Sequence, residues 1–172
     1  MSPDLALRPE RPADFAAIHE LNQAAFGPGS PEAGLVDALR EAGAHVPALC
    51  LVAERGEQPI GHIFFSEALL EPGDAVLALA PMAVLPESQR TGVGSALVSE
   101  ALRLAAGTNY PLVVVLGHAE YYPRFGFEQA GGYGVRAPWD VPKEVWMVHP
   151  LPAYRPQARG LVRYAEPFDR VT

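Results

Sequence analysis

The chain has one cysteine, one lysine and no long apolar run, and each shortage removes a class of function. Cys50 alone allows no internal disulfide framework, so the expected location is a reducing one, the cytoplasm. No glycine precedes the sole lysine, Lys143, so a Walker-type phosphate loop, which needs Gly-Lys-Ser/Thr, is excluded. A Schiff-base enzyme would have a single candidate residue. The longest apolar run, Ala75 to Leu85, has eleven residues, against the roughly 20 that a membrane-spanning helix needs. The N-terminal stretch through Asp14 lacks the basic region and apolar segment of a secretory leader. The histidines at 19, 45, 62, 118 and 149 show no paired-ligand spacing, so no metal site is expected. No Gly-x-Ser-x-Gly elbow occurs either.

Positive charge is also scarce. Thirteen basic against twenty acidic residues give a formal charge of −7. This argues against nucleic acid or an anionic membrane as partner. Any anionic ligand has to be held by a local arrangement of groups.

What is present is enough for one domain spanning residues 1–172, since 49% of the chain is apolar. Leu5 to Arg8 reads as a short strand. Asp14 then serves as N-cap for a helix carrying Phe15, Ile18 and Leu21, which ends before the loop Gly27 to Ser30. Pro31 and Glu32 suit the first turn of a second helix, with Leu35, Val36 and Leu39 on one face and Gly43 as its stop. Leu49 to Ala53 and Ile60 to Phe65 form an antiparallel hairpin around a polar turn. A long buried strand, Ala75 to Val84, is followed by a helix from about Ser95 to Ala106 and a second buried strand, Leu112 to Leu116. This strand–helix–strand unit predicts a parallel pair inside an otherwise antiparallel sheet. Strand-like stretches recur at Val145 to Val148 and Leu161 to Tyr164.

The stretch that carries chemistry runs from Met82 to Leu97, a strand passing through a turn into a helix. Gly92 and Gly94 remove side chains that would block the backbone, so several N–H groups can converge on an anion at the positive end of the helix. Arg90 can add a charge-assisted contact. A dinucleotide-binding turn would need a third glycine where Leu97 stands. Pro81, lacking an N–H, predicts a bulge or an unpaired edge in its strand.

Gln89-Arg90-Thr91-Gly92-Val93-Gly94 resembles the Gln/Arg-x-x-Gly-x-Gly/Ala motif of the GNAT superfamily of acyl-CoA-dependent N-acetyltransferases. Tyr121-Tyr122-Pro123-Arg124-Phe125-Gly126-Phe127 resembles that family's second, aromatic segment. The specific likeness covers residues 82 to 127. It implies an α/β fold of GNAT type: a mixed, mainly antiparallel central sheet with a splayed parallel pair and helices on both faces. It also implies acetyl-CoA as co-substrate, its pyrophosphate on the backbone of Gln89, Arg90, Thr91, Gly92, Val93, Gly94, Ser95 and Ala96. The pantetheine arm would then lie along Met82, Ala83 and Val84, as an added strand would. A primary amine of a small molecule or peptide is the implied acceptor and a homodimer the implied assembly.

Within that chemistry Tyr122 is the expected acid for the departing thiolate, since it takes the family's tyrosine position. Glu67, after the second hairpin strand, is a candidate base; His62 and His118 are others. The loops Phe26 to Ser30 and Tyr133 to Trp139 are expected to build the acceptor pocket. Gly117-His118 replaces an asparagine often found after the last central strand, which leaves the usual cofactor contact there open. A non-catalytic acyl-CoA-binding module is the alternative from another class. Cys50, inside a predicted strand, reads as core.

Overall fold

In the computed structural model, which describes residues 4–71 and 73–171, the elements follow the apolar runs and the breaks between them. The order is β1 (Leu5–Pro9), α1 (Phe15–Phe26), α2 (Glu32–Glu41), β2 (Leu51–Arg55), β3 (Gln58–Glu71), β4 (Ala75–Val84), α3 (Val93–Ala105), β5 (Leu112–Leu116), β6 (Glu128–Gln129), β7 (Val135–Arg136), β8 (Trp146–Pro150) and β9 (Gly160–Arg163). The strands form one sheet in the order β1-β2-β3-β4-β5-β8-β6, with β9 pairing both β3 and β7. The pairs β1–β2, β2–β3, β3–β4 and β5–β8 are antiparallel, and β4 and β5 run parallel at the centre, as expected. Beyond that expectation, the short β7–β9 pairing is also parallel.

Alternation along the strands sorts the core onto two faces. Ile63 and Phe65 pack with Leu97, Val98 and Ala101 of α3 on one face. On the other, Phe64 joins Ile18 of α1 and Val36 and Leu39 of α2. Helix α2 ends in a Schellman turn: Gly43 has φ +66, its N–H donates to Arg40 O, and Ala44 N–H donates to Leu39 O. Asp14 behaves differently from expectation. Its carboxylate makes no cap on α1; it accepts the Arg11 N–H at 2.7 Å and the Arg8 guanidinium at 2.7 and 2.8 Å. A charged donor and a nearer N–H outbid the helix terminus. Cys50 is fully buried, and burial pushes its thiol up to about 12, which removes it as a nucleophile.

Two irregularities shape the middle of the sheet. Ile63 pairs with Met82 and Phe65 with Leu79, so Phe64 alone faces Ala80 and Pro81. This is the bulge that Pro81 predicts. Further, β4 and β5 are paired only at Leu77–Val113 and Ala78–Val114, although β4 continues to Val84 and β5 to Leu116. Past those residues the strands part.

The end of β1 is tied to α2 and β3 by a buried charge cluster. Glu10 accepts Arg40 Nε at 3.0 Å and Nη2 at 2.8 Å, and lies 2.7 Å from His62 Nε2. Desolvation opposes ionisation of Glu10, but its hydrogen bonds to His62 and Arg40 hold it below the usual carboxylate range. Burial holds His62 below the usual imidazole range. Its Nδ1 is buried without a partner, so a second ring proton would be a stranded donor. His149 is lowered by burial as well.

These shifts make stability fall on acidification. The unfolded chain gains histidine protons near pH 6.5 that the folded chain refuses, and a Glu10 proton near pH 4.3. Urea unfolding at a series of pH values is expected to show the first loss between about pH 7 and 5. His62→Gln, which keeps a side-chain N–H donor, should flatten that slope by up to ~1.4 kcal/mol per pH unit. An unchanged slope would remove His62 as its source.

Candidate active site

The turn between β4 and α3 is built for an anion. Arg90 has φ +62 and Gly92 φ +93, and left-handed residues of this kind curl successive N–H groups inward. Gln89 Nε2 donates to Val84 O at 3.0 Å and Thr91 Oγ1 to Ser88 O at 2.5 Å, fixing the turn to the strand before it. Among the described residues, the N–H groups of residues 90–95 have no backbone acceptor, while the Ala96 N–H donates to Gly92 O at 3.0 Å. These unsatisfied donors stand at the positive end of a helix of 13 residues. Gly94 is needed for packing: a Cβ there would lie 2.9 Å from Tyr121 Oη.

A cavity of about 1000 Å³ opens from this turn along the gap between β4 and β5. Met82, Ala83, Val84, Gln89, Arg90, Gly92, Gly94 and Ser95 line it. Of the other residues expected on the cofactor path, Thr91 is tied to Ser88 and Val93 packs over Gly61, where a Cβ would lie 2.8 Å from Val93 Cγ1. Ala96 has spent its N–H on the helix. Leu85 N–H donates to Ile60 O, so by strand alternation the backbone groups of Val84 and Met82 face away from β3, toward the gap.

Tyr122, on the turn Tyr122–Phe125 after β5, also lines the cavity and is 7% exposed. Its ring is held edge-on by Tyr121 at 5.2 Å and Phe127 at 5.4 Å. It also lies flush against Gly117, where a Cβ would fall 2.4 Å from the ring. No side chain fits at Gly117 beside this tyrosine as it stands. Burial pushes the phenol well above its ordinary pKa, and its hydroxyl has no hydrogen-bond partner among the described residues.

Glu67 is not brought to this site. β3 continues to Glu71, so Glu67 lies within the strand rather than after it. It is six positions beyond Gly61, which sits under the start of α3, and roughly 20 Å separates such positions along a strand. There, exposed, it accepts the Tyr110 hydroxyl at 2.5 Å. Burial, with Glu67 second, pushes that phenol up to about 12. His62 belongs to the Glu10 cluster, whereas His118 lines the cavity at an exposed position.

The cavity continues through the sheet. Tyr122, Val84 and Val115 belong to the α3 face, whereas Leu35, Phe168 and Tyr164 belong to the face covered by α1 and α2, and all six line it. Of the expected acceptor loops, Phe26 and Trp139 reach the cavity; Tyr133 instead packs on Tyr154 and donates to Glu128. Tyr164, Phe168 and Glu32 were not anticipated as lining residues. For Phe168 the local sequence Glu166-Pro167-Phe168-Asp169-Arg170 reads as a polar tail with one apolar residue, and that residue was the only signal. Among the described residues no group of three or more His, Cys, Asp or Glu is placed to hold a metal ion.

A sheet opened between two parallel strands, with a glycine turn of free N–H groups at the gap, defines a protein that takes a long ligand ending in phosphate. The sequence matches the acetyltransferase (GNAT) domain family over residues 47–129. It is 39% identical over 164 residues to the uncharacterized N-acetyltransferase YjhQ of Escherichia coli K12, covering 91% of this chain and 90% of that one. The crystal structure of the E. coli GNAT family N-acetyltransferase YhbS in complex with CoA superposes with a TM-score of 0.90 at 34% identity, covering 98% of this chain and 94% of that one. A GNAT family acetyltransferase from Brucella melitensis in complex with acetyl-CoA gives a TM-score of 0.79 at 34% identity, covering 96% and 98%. The chain belongs to the GNAT family of acyl-CoA-dependent N-acetyltransferases.

Gly92→Glu places an anion on the turn and is expected to weaken acetyl-CoA binding at least about tenfold in calorimetry. An L residue at φ +93 costs about 1–2 kcal/mol, or roughly 2–8 °C in melting temperature. Unchanged affinity in a variant that melts within that range would move the phosphate site elsewhere.

Proposed function

We propose that this protein moves the acetyl group of acetyl-CoA to a primary amine of a small molecule, by direct attack with both substrates bound. The observation that carries the reading is the continuity of one cavity from the anion turn, past Tyr122, to an aromatic chamber on the far face of the sheet. Acetyl-CoA supplies the activated acyl carbon and a thiolate leaving group. The N–H groups of residues 90–95 receive its phosphates, and Arg90 adds charge. The outward backbone of Met82 and Val84 receives the amides of the pantetheine arm in place of the missing β5 pairing. Val84 O already accepts Gln89 Nε2, so Met82 and the Val84 N–H carry that role.

In the transfer a neutral amine attacks: the carbon–nitrogen bond forms, the carbon–sulfur bond breaks, the nitrogen gives up one proton to solvent and the sulfur gains one from Tyr122. Tyr122 supplies the proton at sulfur. Its raised pKa keeps the phenol protonated at every working pH, so it donates a hydrogen bond that strengthens as charge builds on the sulfur. Solvent returns the proton to Tyr122 after CoA leaves. Proximity supplies much of the remaining acceleration, because the cavity holds both reactants on one line.

The test is release of free CoA thiol across a panel of small primary amines. With an accepted amine, Tyr122→Phe is expected to lower kcat about 10- to 100-fold while acetyl-CoA affinity stays within about twofold. An unchanged kcat would remove the acid role. Saturable acetyl-CoA binding with no CoA release from any amine would favour a non-catalytic acyl-CoA-binding module.

A further inference from the structure

Coenzyme A ends in more charge than the turn after β4 can take. The N–H groups of residues 90–95 and the Arg90 guanidinium are placed for its pyrophosphate, but a further phosphate stands on the 3′ carbon of the ribose, one sugar beyond. Such a phosphomonoester carries a charge of about −2 at neutral pH. In a chain of net charge −7 it needs a cation of its own at the mouth of the cavity.

Two arginines line the cavity, Arg90 and Arg124. Among the described residues neither is paired with a carboxylate, whereas Arg8, Arg40, Arg103, Arg155 and Arg163 all are. Arg124, on the turn Tyr122–Phe125, is exposed and yet tethered. Its Nε donates to Tyr121 O at 3.0 Å and its Nη2 to Glu120 O at 3.5 Å. The guanidinium also lies over the Tyr121 ring, 4.7 Å from the ring centre. That ring reaches across to the first turn of α3, where its hydroxyl lies 2.9 Å from the place a Cβ on Gly94 would take. One tyrosine side chain thus spans from the anion turn to Arg124. The guanidinium is held beside the turn, with Nη1 making no hydrogen bond among the described residues.

We propose that Arg124 receives the 3′-phosphate of coenzyme A, so that the protein distinguishes the complete cofactor from its 3′-dephospho form. Arg90 is itself a residue of the turn and is spent on the pyrophosphate. Arg124 comes from the other side of the gap, and its planar fork, already oriented by two carbonyls, loses little freedom when it pairs with a phosphate. The assignment rests on the placing of the pyrophosphate at the turn and is independent of which amine is acetylated.

Calorimetric titration with CoA and with 3′-dephospho-CoA tests this without any acceptor. The wild-type protein is expected to bind CoA at least about fivefold more tightly than the dephospho form. Arg124→Gln should bring CoA down to the level of 3′-dephospho-CoA while the affinity for 3′-dephospho-CoA stays within about twofold, which also checks that fold and turn are intact. Arg90→Gln should weaken both ligands alike. Equal affinities in the wild-type protein, a preference that survives Arg124→Gln, or one that disappears in Arg90→Gln overturns the assignment and leaves the anion turn standing. An equal loss of both ligands in Arg124→Gln overturns it too, because the residue would then only prop Tyr121 against the turn. If neither ligand binds the wild-type protein, the anion-turn reading fails and the assignment of Arg124 fails with it.

Discussion

The separation of β4 from β5 is the constraint on which the rest of the molecule depends. A parallel pair at the centre of a sheet would normally stay hydrogen-bonded along its length, because unpaired backbone groups in a dry interior are costly. Here pairing stops after Ala78–Val114. Two local facts make the opening tolerable. Pro81 lacks the N–H that would otherwise pair toward β3, which permits the bulge at Ala80 and Pro81, and that bulge changes the twist of β4 while its other edge stays paired with β3 at Leu79 and from Met82 through Val84. On the opposite side β5 keeps all five of its residues paired with β8. Each parting strand is thus held from outside, and the gap becomes a fixed feature of the backbone.

The two faces of the sheet then take different tasks. On one, α3 packs through Leu97, Val98 and Ala101, which fixes the helix whose first turn holds the anion site. On the other, α2 is anchored through Arg40 to Glu10 and His62, with the Arg40 side chain 8% exposed. The Arg40 guanidinium also lies over the Phe15 ring at 3.9 Å. Removing one partner from such a cluster strands a buried charge and typically costs about 3–5 kcal/mol. An ionic anchor at one end of α2 and a Schellman turn after it leave the first residue, Glu32, held by rigid backbone. The position of the aromatic end of the cavity is therefore set by contacts remote from it.

Local pattern made much of this legible. The turn at residues 89–94, the hairpin, the central strands, α1 and α2 all follow from spacing and from glycine and proline placement, and Pro81 announced the bulge. What escaped depended on long-range pairing. The continuation of β3 to Glu71 rests on strands β4 and β9, which lie on its two edges, and without it Glu67 looked like a strand-end group near the cleft. The short strands β6 and β7 have two residues each and no periodicity to read. Glu32 reads as an ordinary helix-start acid, and only the fold shows that it lines the cavity. Tyr164 and Phe168 enter the chamber through a C-terminal segment whose sequence is mostly polar.

A passage that crosses a sheet has two ends. Exposed Leu116 and His118 stand at one and exposed Phe26 at the other, and all three line the same cavity. In the proposed reaction neither ligand would have to travel past the other to reach its place. Loading would then be free of a steric queue, and each spent molecule could depart through its own doorway while its neighbour stays seated.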